Sequence, residues 1–121
     1  MTPARPHSRM KHATLVIAAA AAATLLADAA AAADLANGEA KVKQICQACH
    51  GLDGNKTLTP DYPKLGGQYP DYLAKALRDY KSGQRKNAIM QGMAAPLTPK
   101  DIEDVAAYYA SQPAAVFTQP K

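Results

Sequence analysis

The sequence predicts an all-α domain of three to five short helices wrapped around one covalently attached prosthetic group. Three observations predict it. Apolar residues recur at helical spacing in three separate segments. No stretch alternates apolar and polar residues as a half-buried strand would. Finally, Cys46-Gln47-Ala48-Cys49-His50 gathers both cysteines of the chain, directly before the only histidine beyond residue 12.

At 121 residues the chain holds at most one domain. Its start reads as a leader. Residues 1–12 carry Arg5, Arg9 and Lys11 without an acid, residues 13–27 are uncharged and apolar, and Asp28 with an alanine string ending at Ala33 follows. A basic start, an apolar centre and a small-x-small end make a cleaved secretory signal peptide. The expected division is therefore 1–33 signal peptide and 34–121 mature domain, with Ala31-Ala32-Ala33 as the cutting signal; the alanines also permit cuts within Ala27–Asp34. The apolar run falls short of the ~20 residues that a spanning helix needs. Arg5 and Arg9 are not adjacent, so the export route is Sec-type, to the periplasm. Losing the leader lowers the net charge from +4 to about +2, and no basic run interleaves with aromatics. Nucleic acid is thus not an expected partner.

Leu35, Gly38, Val42 and Ile45 form one helical face across about Asp34–Cys46. Gly38 sits mid-helix, where glycine costs ~1 kcal/mol against alanine; either it is tolerated or it marks a close helix crossing. Gly51 to Gly67 is rich in Gly, Asp, Asn and Pro and predicts a long loop, which in so small a domain serves a site. Pro70 suits a first helical turn. Leu73, Ala76, Leu77 and Tyr80 repeat at i, i+3, i+4, i+7, and Ser82-Gly83 ends that helix. Lys75, Arg78 and Lys81 lie off the stripe and read as solvated surface. Thr98-Pro99-Lys100-Asp101 opens the last helix, with Thr98 as cap, Pro99 at N1 and Asp101 at N3, close to a capping box. Ile102, Val105, Ala106 and Tyr109 give its apolar stripe, and it ends near Ser111. The tail to Lys121 is expected to be loose.

Two thiols three apart with histidine after the second are the attachment signature of c-type haem. Each thiol adds to one haem vinyl as a thioether, and the histidine imidazole binds the iron. The rival readings are weaker. A bridge between Cys46 and Cys49 would be strained, a thioredoxin-like motif needs strands, and a zinc site wants four ligands where the mature chain offers three. With His50 as the first axial ligand and no second histidine, the sixth ligand is a methionine, Met90 or Met93. A thioether on the iron raises its potential and leaves no site for oxygen or peroxide. That describes an electron carrier and not an enzyme. A domain this small relies on such a staple, so the haem-free chain is expected to be largely unfolded.

On Cys46 to Gly51, Asp53-Gly54-Asn55, Tyr62 to Gln68, Ile89 to Met93 and Leu97 to Tyr109, the chain resembles the bacterial class I c-type cytochromes, in the branch of the c-four and c-five types. The resemblance covers Asp34 to Gln112. It implies the class I cytochrome c fold, a crossing of the first and last helices with Gly38 against Tyr109, a hydrogen bond from His50 to the Pro63 carbonyl, and Met90 as axial ligand with Met93 as the alternative. It implies one haem c on Cys46 and Cys49. The function expected is a periplasmic monohaem cytochrome c carrying one electron at a time in a respiratory chain, with the haem subunit of a periplasmic dehydrogenase as the other reading. Expected partners are redox proteins (an oxidase, reductase or dehydrogenase), with no stable membrane insertion after cleavage and a monomer or weak dimer.

Overall fold

Asp34 starts the fold by capping its first helix. Its carboxylate accepts from the backbone N–H groups of Ala36 and Asn37 at 2.9 and 3.1 Å. The structure, a computed structural model, describes residue 1 and residues 32–114. Most of the expected leader and the tail beyond residue 114 lie outside the described residues. Helix α1 spans Leu35–Lys41 and passes without a break into a π-helical turn, Val42–Cys46, and then α2, Gln47–His50. The helix expected to end at Cys46 therefore continues to His50. The π turn was not foreseen. Its wider hydrogen bonding inserts one extra residue, which rotates everything after it by ~100° about the helix axis relative to an unbroken α-helix. The direction in which Cys46 to His50 face depends on that turn.

A long connection without helix, residues 51–69, leads to α3 at Pro70–Ser82. Gly83 ends α3 at φ 79°, a left-handed cap that glycine takes without a Cβ penalty. A short helix, α4, spans Ala88–Ala94, with the Asn87 side chain accepting from the Met90 N–H at 3.0 Å. Helix α5, Pro99–Ala110, opens with a complete capping box between Thr98 and Asp101 and closes at Ser111. No strand occurs among the described residues.

Helix α5 is the centre of the packing, against α1 on one side and α3 on another. Its stripe of Ile102, Val105, Ala106 and Tyr109 is buried together with Val42, Leu73, Ala74, Leu97 and Tyr108. The crossing with α1 is backbone-close. A Cβ added at Gly38 would lie 2.2 Å from the Asp104 carbonyl oxygen and 2.9 Å from the Tyr108 Cβ. The close-crossing reading of Gly38 thus holds, but its aromatic neighbour is Tyr108 and not Tyr109. Adjacent helical residues point ~100° apart, and Tyr109 points instead toward the haem motif.

A polar network locks the same crossing. The Asp104 side chain is fully buried and accepts from the Asp34 N–H at 2.7 Å, from Asn37 Nδ2 at 2.7 Å and from Lys100 Nζ. Asn37 also donates to Asp101 at 3.2 Å, and Lys41 pairs with Asp101 at 3.4 Å. Burial alone would raise the Asp104 pKa, but the hydrogen bonds from Lys100, the Asp34 N–H and Asn37 outweigh it and hold it low. Asp101 is held well below the carboxylate range, first by the Thr98 N–H against the opposing effect of burial, and further by the Thr98 hydroxyl, Asn37 and Lys41. Elsewhere, Lys81 reaches the carbonyls of Ala95 and Leu97 at 2.6 and 2.7 Å and so ties α3 to the turn before α5. Arg78 pairs with Glu103, and Lys75 with Asp79; pairs this exposed add little.

Two outcomes are expected. Gly38→Ala should destabilise the domain by about 1–3 kcal/mol or more, because the obstructing atoms are backbone; a denaturant midpoint equal to wild type would contradict the crossing. Asp101 and Asp104 have folded pKa values depressed below the ordinary 3.8, so both contribute stability above about pH 4 that is lost as pH falls below it. Asp104→Asn should cost about 1–3 kcal/mol at pH 7 and flatten the acid limb of the stability profile, measured by thermal melts from pH 7 to pH 2.

Candidate haem site

Cys46 closes the π turn and Cys49 lies one turn further, in α2. Both are half-buried free thiols. Burial, and then the neighbouring Cys49, push the Cys46 thiol up to about 11, so it is protonated at neutral pH. His50 follows at the end of α2, with 6 % of its surface exposed. Its Nδ1 lies 2.9 Å from the Pro63 carbonyl oxygen. A carbonyl can only accept, so Nδ1 carries the proton and Nε2 is left with a lone pair for a metal. The Tyr62 ring meets the imidazole edge-on at 6.1 Å.

Presenting the Pro63 carbonyl to His50 requires a closely held loop. The Leu58 N–H donates to the Cys49 carbonyl at 2.9 Å, and the Leu65 N–H to the Gly54 carbonyl at 2.8 Å. The Asp53 carboxylate accepts from the Asn55 and Lys56 N–H groups at 2.8 and 3.2 Å. Gly54, at φ 72°, admits no side chain: a Cβ there would meet the Gly66 nitrogen at 2.6 Å and the Tyr109 ring at 2.8 Å. Tyr109 ties the loop to α5 from both ends. Its hydroxyl donates to the Gly51 carbonyl at 3.0 Å, and its own carbonyl accepts from the Gly67 N–H at 2.9 Å. Sequence reasoning gave Tyr109 a place in the helix crossing and missed this role; an aromatic on the buried stripe of α5 carries no sign of where its hydroxyl goes.

These elements enclose a cavity of about 470 Å³, within the range of sites that take a large organic ligand. The motif supplies Cys46, Cys49 and His50, α3 its whole predicted stripe, α4 Met90 and Met93, and α5 Val105, Ala106 and Tyr109. Each residue expected at the cofactor, Pro63 included, lines this one cavity. Met90 is half-buried and Met93 is 42 % exposed. No group of three or more His, Cys, Asp or Glu side chains that could hold a bare metal ion occurs among the described residues. A macrocycle bearing its own metal fits this donor set: apolar walls, two free thiols, an imidazole held at Nδ1 by a carbonyl, and thioethers on a separate segment.

Comparison with known proteins agrees with this chemistry. Residues 35–112 match the cytochrome c family. The chain is 53 % identical over 76 residues to cytochrome c4 of Thiocapsa roseopersicina, covering 63 % of this chain and 38 % of the relative. It is 49 % identical over 82 residues to cytochrome c-554(548) of Halomonas halodenitrificans, covering 65 % of this chain and 96 % of that one. The crystal structure of reduced recombinant cytochrome c4 from Pseudomonas stutzeri superimposes with a TM-score of 0.63 at 45 % identity, over 70 % of this chain and 48 % of that one. The chain thus spans under half the length of the cytochrome c4 relatives it matches. With its helical fold and with two cysteines at the spacing at which that family attaches haem c, it belongs to the cytochrome c family, in the class I c4 branch.

Proposed function

We propose that this chain is a periplasmic monohaem cytochrome c that passes single electrons between redox proteins of a respiratory chain. The observation that carries this reading is the convergence of His50, whose Nδ1 lies against the Pro63 carbonyl, and the Met90–Met93 segment on the cavity that Cys46 and Cys49 line. In the proposal the Cys46 and Cys49 sulfurs would hold haem as thioethers, and His50 Nε2 and the Met90 sulfur would bind its iron. Met90 is preferred to Met93 because it is the more buried of the two. Bound haem supplies an iron that gains and loses one electron.

The residues of this chain set the terms of that exchange. The Pro63 carbonyl fixes the imidazole tautomer and makes Nε2 more basic. Leu73, Ala76, Leu77, Val105 and Ala106 keep water from the ring, and a dry site with a thioether ligand favours the reduced state. With His50 and Met90 both on the iron, no place would remain there for a substrate. The leader, residues 1–33, directs export to the compartment where thioethers are formed. No helix among the described residues is long and apolar enough to cross a membrane, and we assign the mature domain as a monomer or weak dimer that meets its redox partners in passing.

Cys46→Ser with Cys49→Ser should leave no covalent haem, read as loss of haem-linked peroxidase stain on a denaturing gel; retention of stain would contradict the attachment. Met90→Ala should lower the reduction potential by on the order of 100 mV, part of the ~0.8 V span that axial ligands command, and should remove the weak methionine–iron band in the red. Met93→Ala should do neither, and the reverse pattern would reassign the ligand. The protein should elute from a periplasmic extract alone; elution with a stoichiometric larger subunit would make it part of a dehydrogenase complex.

A further inference from the structure

Asp53 and Gly54 shape the loop that carries Pro63, but the Asn55 side chain beside them does not line the cavity. Its amide is wedged against Gly66, where an added Cβ would come 2.5 Å from Asn55 Oδ1 and 2.7 Å from Nδ2. Oδ1 is buried and has no hydrogen-bond partner among the described residues. The bonding of this amide lies at Nδ2, which donates to the Pro113 carbonyl at 3.0 Å, 58 residues later in the chain. The tail after Gln112, expected to be loose, is therefore packed over its first two residues. Pro113 has no N–H to continue α5 and a fixed φ, so it leaves the helix in a set direction. Ala114 then lies on Gly67: a Cβ there would meet the Ala114 Cα at 2.4 Å and its Cβ at 2.6 Å. Gln112 anchors the turn, its N–H donating to the Tyr109 carbonyl at 3.1 Å and its Nε2 to the Tyr108 carbonyl at 3.2 Å.

Pro63 lies on the stretch of chain that these contacts enclose. Asn55 stands on one arm of the loop, and Gly66 and Gly67 on the other, just past Pro63. We infer that Asn55, Pro113 and Ala114 are positioning residues: together they clasp the loop from outside the cavity and keep the Pro63 carbonyl on His50 Nδ1. The use of that imidazole as an iron ligand rests on the haem reading above. None of the three lines the cavity, so they act only through the loop. What they control is the partner of Nδ1, and through it the basicity of the nitrogen offered to the metal. Without the clasp, the second arm stays joined to the first by the Leu65 and Gly66 N–H groups, which donate to the Gly54 carbonyl at 2.8 and 3.3 Å. Pro113 and Ala114 are themselves exposed, and water competes for the Pro113 carbonyl. The clasp therefore tunes the loop and does not decide whether it folds.

The test follows hydrogen exchange by NMR in ¹⁵N-labelled holoprotein, comparing a chain that ends at Ala114 with one that ends at Gln112, each with and without Asn55→Ala. In the chain ending at Gln112, the His50 Nδ1 proton and the Leu65 amide proton should exchange about three- to tenfold faster than in the chain ending at Ala114, the worth of one hydrogen bond. The Val105 amide in α5 should exchange as before, which a merely structural role would not predict. Asn55→Ala should quicken the same two protons in the chain ending at Ala114. It should do much less in the chain ending at Gln112, where its partner is already gone. Asn55→Ala in the longer chain decides the matter if the shorter one fails to retain haem. Equal His50 exchange in the two chains, or a rise in Val105 exchange to match it, would overturn the inference and leave the cytochrome reading standing. Absence of a thioether-haem spectrum in the full chain would overturn both.

Discussion

The crossing of α1 and α5 at Gly38 is the contact on which the rest of the molecule depends. There the backbone of one helix lies against the backbone of the other, and no residue larger than glycine fits between Gly38 and the Asp104 carbonyl. A crossing so close leaves the surrounding polar groups with little access to water. The fold answers with a matched set: Asp104 and Asp101 on α5, the Asp34 N–H and Asn37 at the start of α1, and Lys41 and Lys100 at the margins. Removing any one member would strand the others, which is why buried polar networks of this kind act as a unit. The network also makes Asp34 and the start of α1 part of the core.

What the crossing positions is the haem motif. Helix α1 runs straight into the π turn and α2, so fixing α1 on α5 fixes where Cys46, Cys49 and His50 stand. Tyr109 then reaches from α5 to the Gly51 carbonyl just past His50 and accepts from Gly67 at the far end of the loop. The loop that brings Pro63 to His50 is thus anchored on the same helix as the motif. Helix α3 packs on another side of α5 and turns Leu73, Ala76, Leu77 and Tyr80 toward the cavity. One helix therefore serves both the structural crossing and the cofactor wall. That economy suits a domain with too few residues for a separate core and site.

Much of this was legible in the residues, and the reasons differ from element to element. Helices α3 and α5 announce their ends through local chemistry: Pro70 and Pro99 at first turns, Thr98 with Asp101 as a box, and Gly83 in a left-handed cap. Helix α4 is too short for periodicity to show, and its start depends on one side chain, Asn87. The π turn over Val42–Cys46 has no sign in the composition of those residues. The exchange of Tyr108 for Tyr109 at Gly38 is an ambiguity between neighbours that only packing resolves. Asp101 belongs to the capping box that the sequence shows, whereas nothing local marks Asp104, because two of its three partners, Asp34 and Asn37, lie sixty and more residues earlier in the chain. The contact between His50 and Pro63 came from family resemblance, since nothing in the spacing of residues 50 and 63 requires it.

A helical domain built this way presents one imidazole and one half-buried thioether to a single apolar cavity that two thiols also line, and the function proposed follows from that donor set. The most direct test is the absorption spectrum of the purified protein, reduced and oxidised, before and after exposure to carbon monoxide. Our reading predicts a low-spin thioether haem with a sharp reduced α-band, a weak far-red band when oxidised, and no change with carbon monoxide at neutral pH. A high-spin ferric spectrum, or a reduced haem that takes up carbon monoxide readily, would mean that the sixth position is open and would contradict the account.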